Sequence, residues 1–179
     1  MTLSQKLWLL ALRIGIGWHF LYEGLAKLAN PNWSGVGYLL DSEGFLKQFF
    51  FNLAANPDVL KMVDLLNIWG LILIGLGLIL GAFTRVAIVS GIVLLAFYYL
   101  SHPPFIDLKY AVPSEGSYLV VNKNLVELIA LGVLYCFPTW KKWGIDRWMF
   151  NRQPSAVSRQ PSAVSRQPSA VSRKPSVDT

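Results

Sequence analysis

The sequence predicts an all-α fold: a membrane-embedded four-helix bundle with an interfacial helix in its first outer loop and a disordered tail behind it. Three observations carry this expectation. The 179 residues are 54% hydrophobic and only 15% charged, against roughly 25% charged in an average soluble domain. The apolar residues gather into four runs divided by breaks at Asn30-Pro31, Thr84-Arg85 and His102-Pro103-Pro104, and about 20 apolar residues per helix is what a bilayer core demands. The final stretch is a polar repeat with too few large apolar residues to form a core. Residues 1–150 are therefore read as one transmembrane domain and 151–179 as a disordered basic tail.

The first span covers about residues 4–28 and stops at Asn30-Pro31, a strong breaker pair. Arg13, His19, Glu23 and Lys27 interrupt it, which marks a retained helix rather than the clean apolar core of a cleavable signal. In the loop that follows, the phenylalanine-rich segment Gly44 to Ala55 suits a helix lying on the membrane surface. It is too short for a fifth crossing. The second span covers about 59–83, and Gly70, Gly75, Gly77 and Gly81 recur along it, as small residues do where helix backbones approach closely in lipid. The third, about 85–101, stops at His102-Pro103-Pro104, and the fourth, about 122–138, stops at Pro138. These two are short for a bilayer.

Lys141, Lys142, Arg147 and Arg152 crowd the far side of the fourth span. The positive-inside rule then places the C-terminus in the cytoplasm, and four crossings return the N-terminus, with Lys6, to the same side. The expected location is the plasma (inner) membrane, with Trp140, Trp143 and Trp148 as an interfacial aromatic belt. The tail repeats Arg-Gln-Pro-Ser-Ala-Val-Ser at 152–158, 159–165 and 166–172. A proline in every unit forbids a continuous helix despite the period of seven. Its arginines suggest a weak attraction to anionic lipid.

The net charge of +6 invites a nucleic-acid partner, but half of the basic residues follow the last apolar run and the rest are scattered among apolar segments, so that class is excluded. Cys136 is the single cysteine. Dithiol redox chemistry is excluded with it, and Cys136 itself reads as a small apolar residue.

Ionisable side chains within membrane spans are costly and mark function by default. On a helical wheel Arg13, His19, Glu23 and Lys27 fall within roughly 120°, and Glu23 precedes Lys27 by four residues in the order that favours an ion pair. Lys123, Asn124 and Glu127 share a face of the fourth span. Alternating crossings bring Glu23, Lys27, Asp64, Asn67, His102, Asn124 and Glu127 to one half of the bilayer, under the two long loops. An interior pocket with a loop lid is expected there, with Arg13 deeper and holding a carboxylate or an anionic ligand from below. Glu127, Glu23 and His102 are the candidate catalytic, proton-handling groups. Arg13, Lys27, Lys123, Asn124 and His19 are the candidate substrate- or quinone-binding groups. Mutual neutralisation of Glu23 with Lys27 and of Arg13 with Glu127 is the structural alternative. No metal-ligand spacing, phosphate loop, nucleophile triad or haem motif is present, so neither a metal nor a haem is expected.

The stretch Leu12-Arg13-Ile14-Gly15-Ile16-Gly17-Trp18-His19-Phe20-Leu21-Tyr22-Glu23-Gly24-Leu25-Ala26-Lys27-Leu28 resembles the first helix of the DoxX/DoxD family. Gly75 to Arg85 resembles its second-to-third turn, and Asn122-Lys123-Asn124-Leu125-Val126-Glu127 the opening of its fourth helix. The resemblance spans about residues 5–140. It implies a four-helix membrane protein. It also implies kinship with the DoxD-like membrane subunit of a thiosulfate:quinone oxidoreductase, which works beside a smaller partner. Arg13, Lys27, Arg85, Lys123, Asn124 and Glu127 match the family's patterned positions, whereas His19 and Glu23 are less typical of it. The loop containing Gly44–Ala55 favours the DoxD-like branch.

Three function classes stay open on this reading. The first is a membrane subunit of a quinone-linked oxidoreductase, oxidising thiosulfate or a related sulfur donor, with a quinone as co-substrate and Glu127 or Glu23 relaying protons. The second is a non-catalytic scaffold or assembly protein. The third is a small-solute transporter, for which one four-helix copy without an inverted repeat is poorly equipped. The bilayer, a small partner subunit and a second copy of the chain are the expected partners.

Overall fold

The computed structural model describes residues 1–105, 108, 110–111, 119–139 and 143–150. The repeat tail, Trp140, Lys141 and Lys142 lie outside the described residues. Within them all regular structure is helical: α1 Leu3–Leu28, α2 Val36–Leu40, α3 Lys47–Ala55, α4 Pro57–Leu80, α5 Thr84–Ser101, α6 Lys123–Cys136 and α7 Ile145–Phe150.

Each long helix has a local reason for its ends. Thr2 and Gln5 form a reciprocal capping box that starts α1, and Pro31 follows its end. Asn56 accepts the backbone N–H groups of Asp58 and Val59 at the head of α4, with Pro57 in the first turn, where it lacks no needed donor. Gly81 closes α4 in the left-handed conformation at φ 66°, three residues before the expected end at Phe83. Asn122 caps α6 through the Leu125 N–H, and Pro138 follows its last turn.

The helix forecast in the first loop is α3, which begins at Lys47 rather than Gly44 because Gly44, at φ 95°, takes a backbone conformation foreign to a right-handed helix. The short α2 and α7 are additions; five or six residues carry too little periodicity to be read from sequence.

α1 packs along α4, α4 against α5, α5 against α6, and α6 closes back on α1. In the α1–α4 seam glycines let the two backbones approach closely. A Cβ placed on Gly75 would stand 2.5 Å from the Leu21 nitrogen and 2.7 Å from the Gly17 oxygen, and one on Gly24 would stand 2.9 Å from the Ile72 nitrogen. Gly75 and Gly81 thus do what the glycine pattern suggested, but Gly70 does not: nothing lies within 4 Å of a Cβ there. Phe20, Ile74, Leu78, Ile88, Leu131 and Leu134 fill the centre.

The outside is as apolar as the inside. Trp18, Leu66, Leu73, Val86 and Ile129 each expose more than half of their surface, an arrangement that water penalises and lipid does not. Two helices, α4 and α5, are long and apolar enough to cross a membrane. α1 is longer but carries five acidic or basic side chains, Lys6, Arg13, His19, Glu23 and Lys27, and α6, at 14 residues, rises about 21 Å.

Candidate functional site

Under the two loops lies a cavity of about 1000 Å³. Its wall includes His19, Glu23, Lys27, His102, Lys123, Asn124 and Glu127, together with Asp64 and Asn67. Eight sequence candidates were named, and the structure gathers seven of them around this one space. Arg13 is the exception.

The first cluster joins α1, α4 and α5. Lys27 Nζ donates to Asn67 Oδ1 at 3.0 Å and to the Tyr98 hydroxyl at 3.4 Å, and Asn67 Nδ2 donates to the same hydroxyl at 2.6 Å. An ammonium can only donate. It therefore fixes the Asn67 amide with its oxygen toward Lys27 and its N–H toward Tyr98. The Tyr98 oxygen accepts twice, and its own proton finds no acceptor among the described residues. Trp33 stacks its ring 5.1 Å from Lys27 Nζ, a cation–π contact that shields the charge.

The second cluster joins α1 and α6. His19 Nδ1 lies 2.8 and 3.0 Å from the two Glu127 carboxylate oxygens. Glu127 is 12% exposed and His19 43%, so the carboxylate is sheltered while the imidazole reaches the edge. The pair holds a proton between a base and an acid, a form suited to handing it on. Glu23 sits midway on α1, one turn from each of His19 and Lys27. It makes no ion pair with a described residue. The expected Glu23–Lys27 bridge is absent because Lys27 is drawn across the interface to Asn67 and Tyr98.

The third cluster is the lid. His102 lies between Tyr38, with ring centroids 3.9 Å apart, and Tyr110, at 4.6 Å. Ser42 Oγ and Glu43 N both donate to the Ser101 carbonyl at 2.9 and 3.1 Å, which ties the first loop to the end of α5. Asp64 holds the same loop by accepting from Ser34 Oγ and Gly35 N. Burial keeps His102 below the usual imidazole range even though the Asp41 carboxylate, 3.6 Å away, pulls it upward. Burial also raises Tyr38, and pushes Tyr110, beside Glu43 and Asp41, up to about 12. The stack is accordingly neutral at pH 7.

Arg13 belongs to the opposite end. Its Nη1 donates to Thr139 Oγ1 at 3.3 Å and its Nη2 to the Trp143 carbonyl at 2.9 Å. It neither holds Glu127 nor lines the cavity. Both of these bonds go to neutral oxygens, its Nε has no hydrogen-bond partner among the described residues, and the Asp146 carboxylate attracts it. Beside it Asp146 caps α5 from a distance, accepting from Phe83 N at 2.7 Å and Thr84 N at 3.0 Å. Sequence reading also passed over Tyr38 and Tyr98; the one available signal was a phenol inside an apolar run, which requires a hydrogen-bond partner when buried.

The DoxX family model matches residues 8–103. The chain belongs to the DoxX family. The matched residues contain most of α1 and all of α2 to α5, hence Lys27, Asn67, Tyr98 and the lid residue His102, and stop before Lys123, Asn124 and Glu127. No curated protein and no solved structure matches the chain. With its apolar exterior and two bilayer-length helices, this DoxX protein is a membrane protein.

Proposed function

We propose that this DoxX protein crosses the plasma (inner) membrane four times as a bundle, with both termini in the cytoplasm and α3 lying at the outer interface, and that it is the membrane subunit of a quinone-linked oxidoreductase. Its cavity binds the quinone head, and its electron donor is thiosulfate or a related sulfur anion handled with a small partner subunit.

One observation supports this above the others: Tyr98, whose hydroxyl accepts from two donors and has no acceptor for its own proton among the described residues, is part of the wall of a largely apolar cavity. A quinone carbonyl is an acceptor with no proton of its own and fits that donor. Reduction of a quinone to a quinol consumes two electrons and two protons, and two thiosulfates joining as tetrathionate release two electrons. The electrons come from the donor; the protons need a route. Glu23, Glu127 and His19 form one from the cavity wall, with Tyr98, Asn67 and Lys27 orienting the head. Lys123 and Asn124, at the mouth of α6, add donors and positive charge.

The test is direct. The protein is extracted from native membranes, bound lipid-soluble molecules are identified, and binding of a tail-free quinone is followed by quenching of tryptophan fluorescence, with Trp33 beside the head. Tyr98→Phe should weaken binding by about tenfold, the loss of roughly one hydrogen bond. Glu127→Gln should leave binding near normal and suppress donor-dependent quinone reduction in the presence of the partner. Absence of any bound or binding quinone sinks the reading.

A further inference from the structure

The cavity wall has a second character that the head site does not use. Leu66, Gly70, Val89, Val93 and Phe97 all line it. Yet Leu66 is 64% exposed, Val89 and Val93 49% each and Phe97 44%. Residues that line a chamber while exposing about half of their own surface mark its mouth. This mouth lies on α4 and α5, the two helices apolar enough to cross a bilayer. It is also deep: Val89 stands nine residues inward of Tyr98, about 14 Å along α5. On the loop side the Tyr38–His102–Tyr110 stack and the Ser42 and Glu43 bonds to Ser101 cover the described part of the roof, and a separate polar edge is exposed at His19, Glu23 and Lys123 on α1 and α6. Of the two openings, the apolar one on α4 and α5 is the one that faces hydrocarbon.

We infer that this groove holds the hydrocarbon tail of the cavity's ligand, which reaches the site sideways from the bilayer between α4 and α5, and that Gly70 sets the room for it. The inference rests on the quinone reading for the identity of the head, and it adds the tail, the route and the residue that governs both. The tail is an isoprenoid or similar linear chain, because the mouth is apolar apart from Ser90 and continuous with the head site. Phe49 and Leu53 of α3 line the cavity beside it. Gly70 carries the argument by contrast with Gly75. A side chain at Gly75 collides with the α1 backbone, so that glycine serves helix packing. One at Gly70 meets nothing within 4 Å, so its missing side chain leaves space in the groove.

The experiment compares two quinones with one head, one tail-free and one carrying a decyl tail, on full-length protein in nanodiscs. Affinities are expressed against quinone concentration in the bilayer. Gly70→Trp should weaken the decyl quinone about tenfold and leave the tail-free one within about twofold, with an unchanged melting temperature; Val93→Trp, at the facing wall, should do the same. A diazirine at the tail end should label α4 and α5 near Gly70 and Val93, and excess decyl quinone should remove the label. Equal weakening of both quinones, no weakening of either, or labelling on α1 and α6 overturns the tail site. If neither quinone binds the wild type, the head assignment fails. A fatty acid with the same diazirine then decides the groove: Gly70-sensitive labelling of α4 and α5 keeps the tail site, and its absence removes it.

Discussion

Asp146→Ala should destabilise the protein from a position far from the cavity. The Asp146 carboxylate, 3% exposed, accepts the Phe83 and Thr84 N–H groups at 2.7 and 3.0 Å. These are orphan donors at the head of α5, whose own N-cap residue, Phe83, has no side-chain oxygen to offer. Losing a side-chain cap costs about 0.5–2 kcal/mol. Hydrogen bonds to a charged group are worth about 1.5–3 kcal/mol, and a buried N–H left unpaired adds its desolvation. Asp146 also attracts Arg13. These contributions overlap, so a total of about 3 kcal/mol is reasonable. For a chain of this size that corresponds to a fall in Tm of about 9 °C. Tryptophan-fluorescence melting in detergent reads it directly. Asp146→Asn keeps one acceptor and should fall between the two. A shift for Asp146→Ala smaller than about 2 °C would mean that water replaces the carboxylate, and the trans-capping argument would be wrong.

Arg13→Gln should lower Tm by several degrees, about 2 kcal/mol for two charge-assisted bonds, while quinone affinity stays unchanged; altered affinity would return Arg13 to the site. Gly75→Ala should cost about 3 kcal/mol or more, because the new Cβ meets backbone that no rotamer change can move; melting and expression check it. Acidification should loosen the lid. The His102 pKa is held below its unfolded value, so the unfolded chain binds the extra proton first; the stability of the neutral stack is full above about pH 6.5. It is lost as pH falls through the lower folded value. Protection from hydrogen exchange in residues 34–43, taken against the intrinsic exchange rate at each pH from 8 to 5, should fall in the wild type and stay flat in His102→Phe.

Much of this was legible in the sequence. Asn30-Pro31, His102-Pro103-Pro104 and Pro138 mark three helix ends because each is a local backbone restriction that tertiary contacts rarely override. The gathering of Glu23, Lys27, Asn67, His102, Asn124 and Glu127 followed from alternation alone: antiparallel helices put one helix's end beside the next one's start. Pairing was another matter. His19 and Glu127 lie 108 positions apart, and nothing local favours that match over Glu23 with Lys27. The seam between α1 and α4 drew Lys27 to Asn67 instead. Arg13 was misplaced because its partners, the Thr139 hydroxyl, the Trp143 carbonyl and the charge of Asp146, all lie beyond the fourth span, more than 120 positions away.

At Gly17, Gly24 and Gly75 the α1 and α4 backbones leave no room even for a β-carbon, so these two helices cannot shift against each other without a clash. α1 and α4 therefore act as a fixed jaw, carrying Lys27 and Asn67 in constant register. Any widening that admits or releases a bulky guest must come from α5 and α6 swinging as the other jaw, with Tyr98 and Glu127 riding on it. Guest exchange would then break the Lys27–Tyr98 and His19–Glu127 contacts together, which couples passage through the wall to the state of both polar clusters.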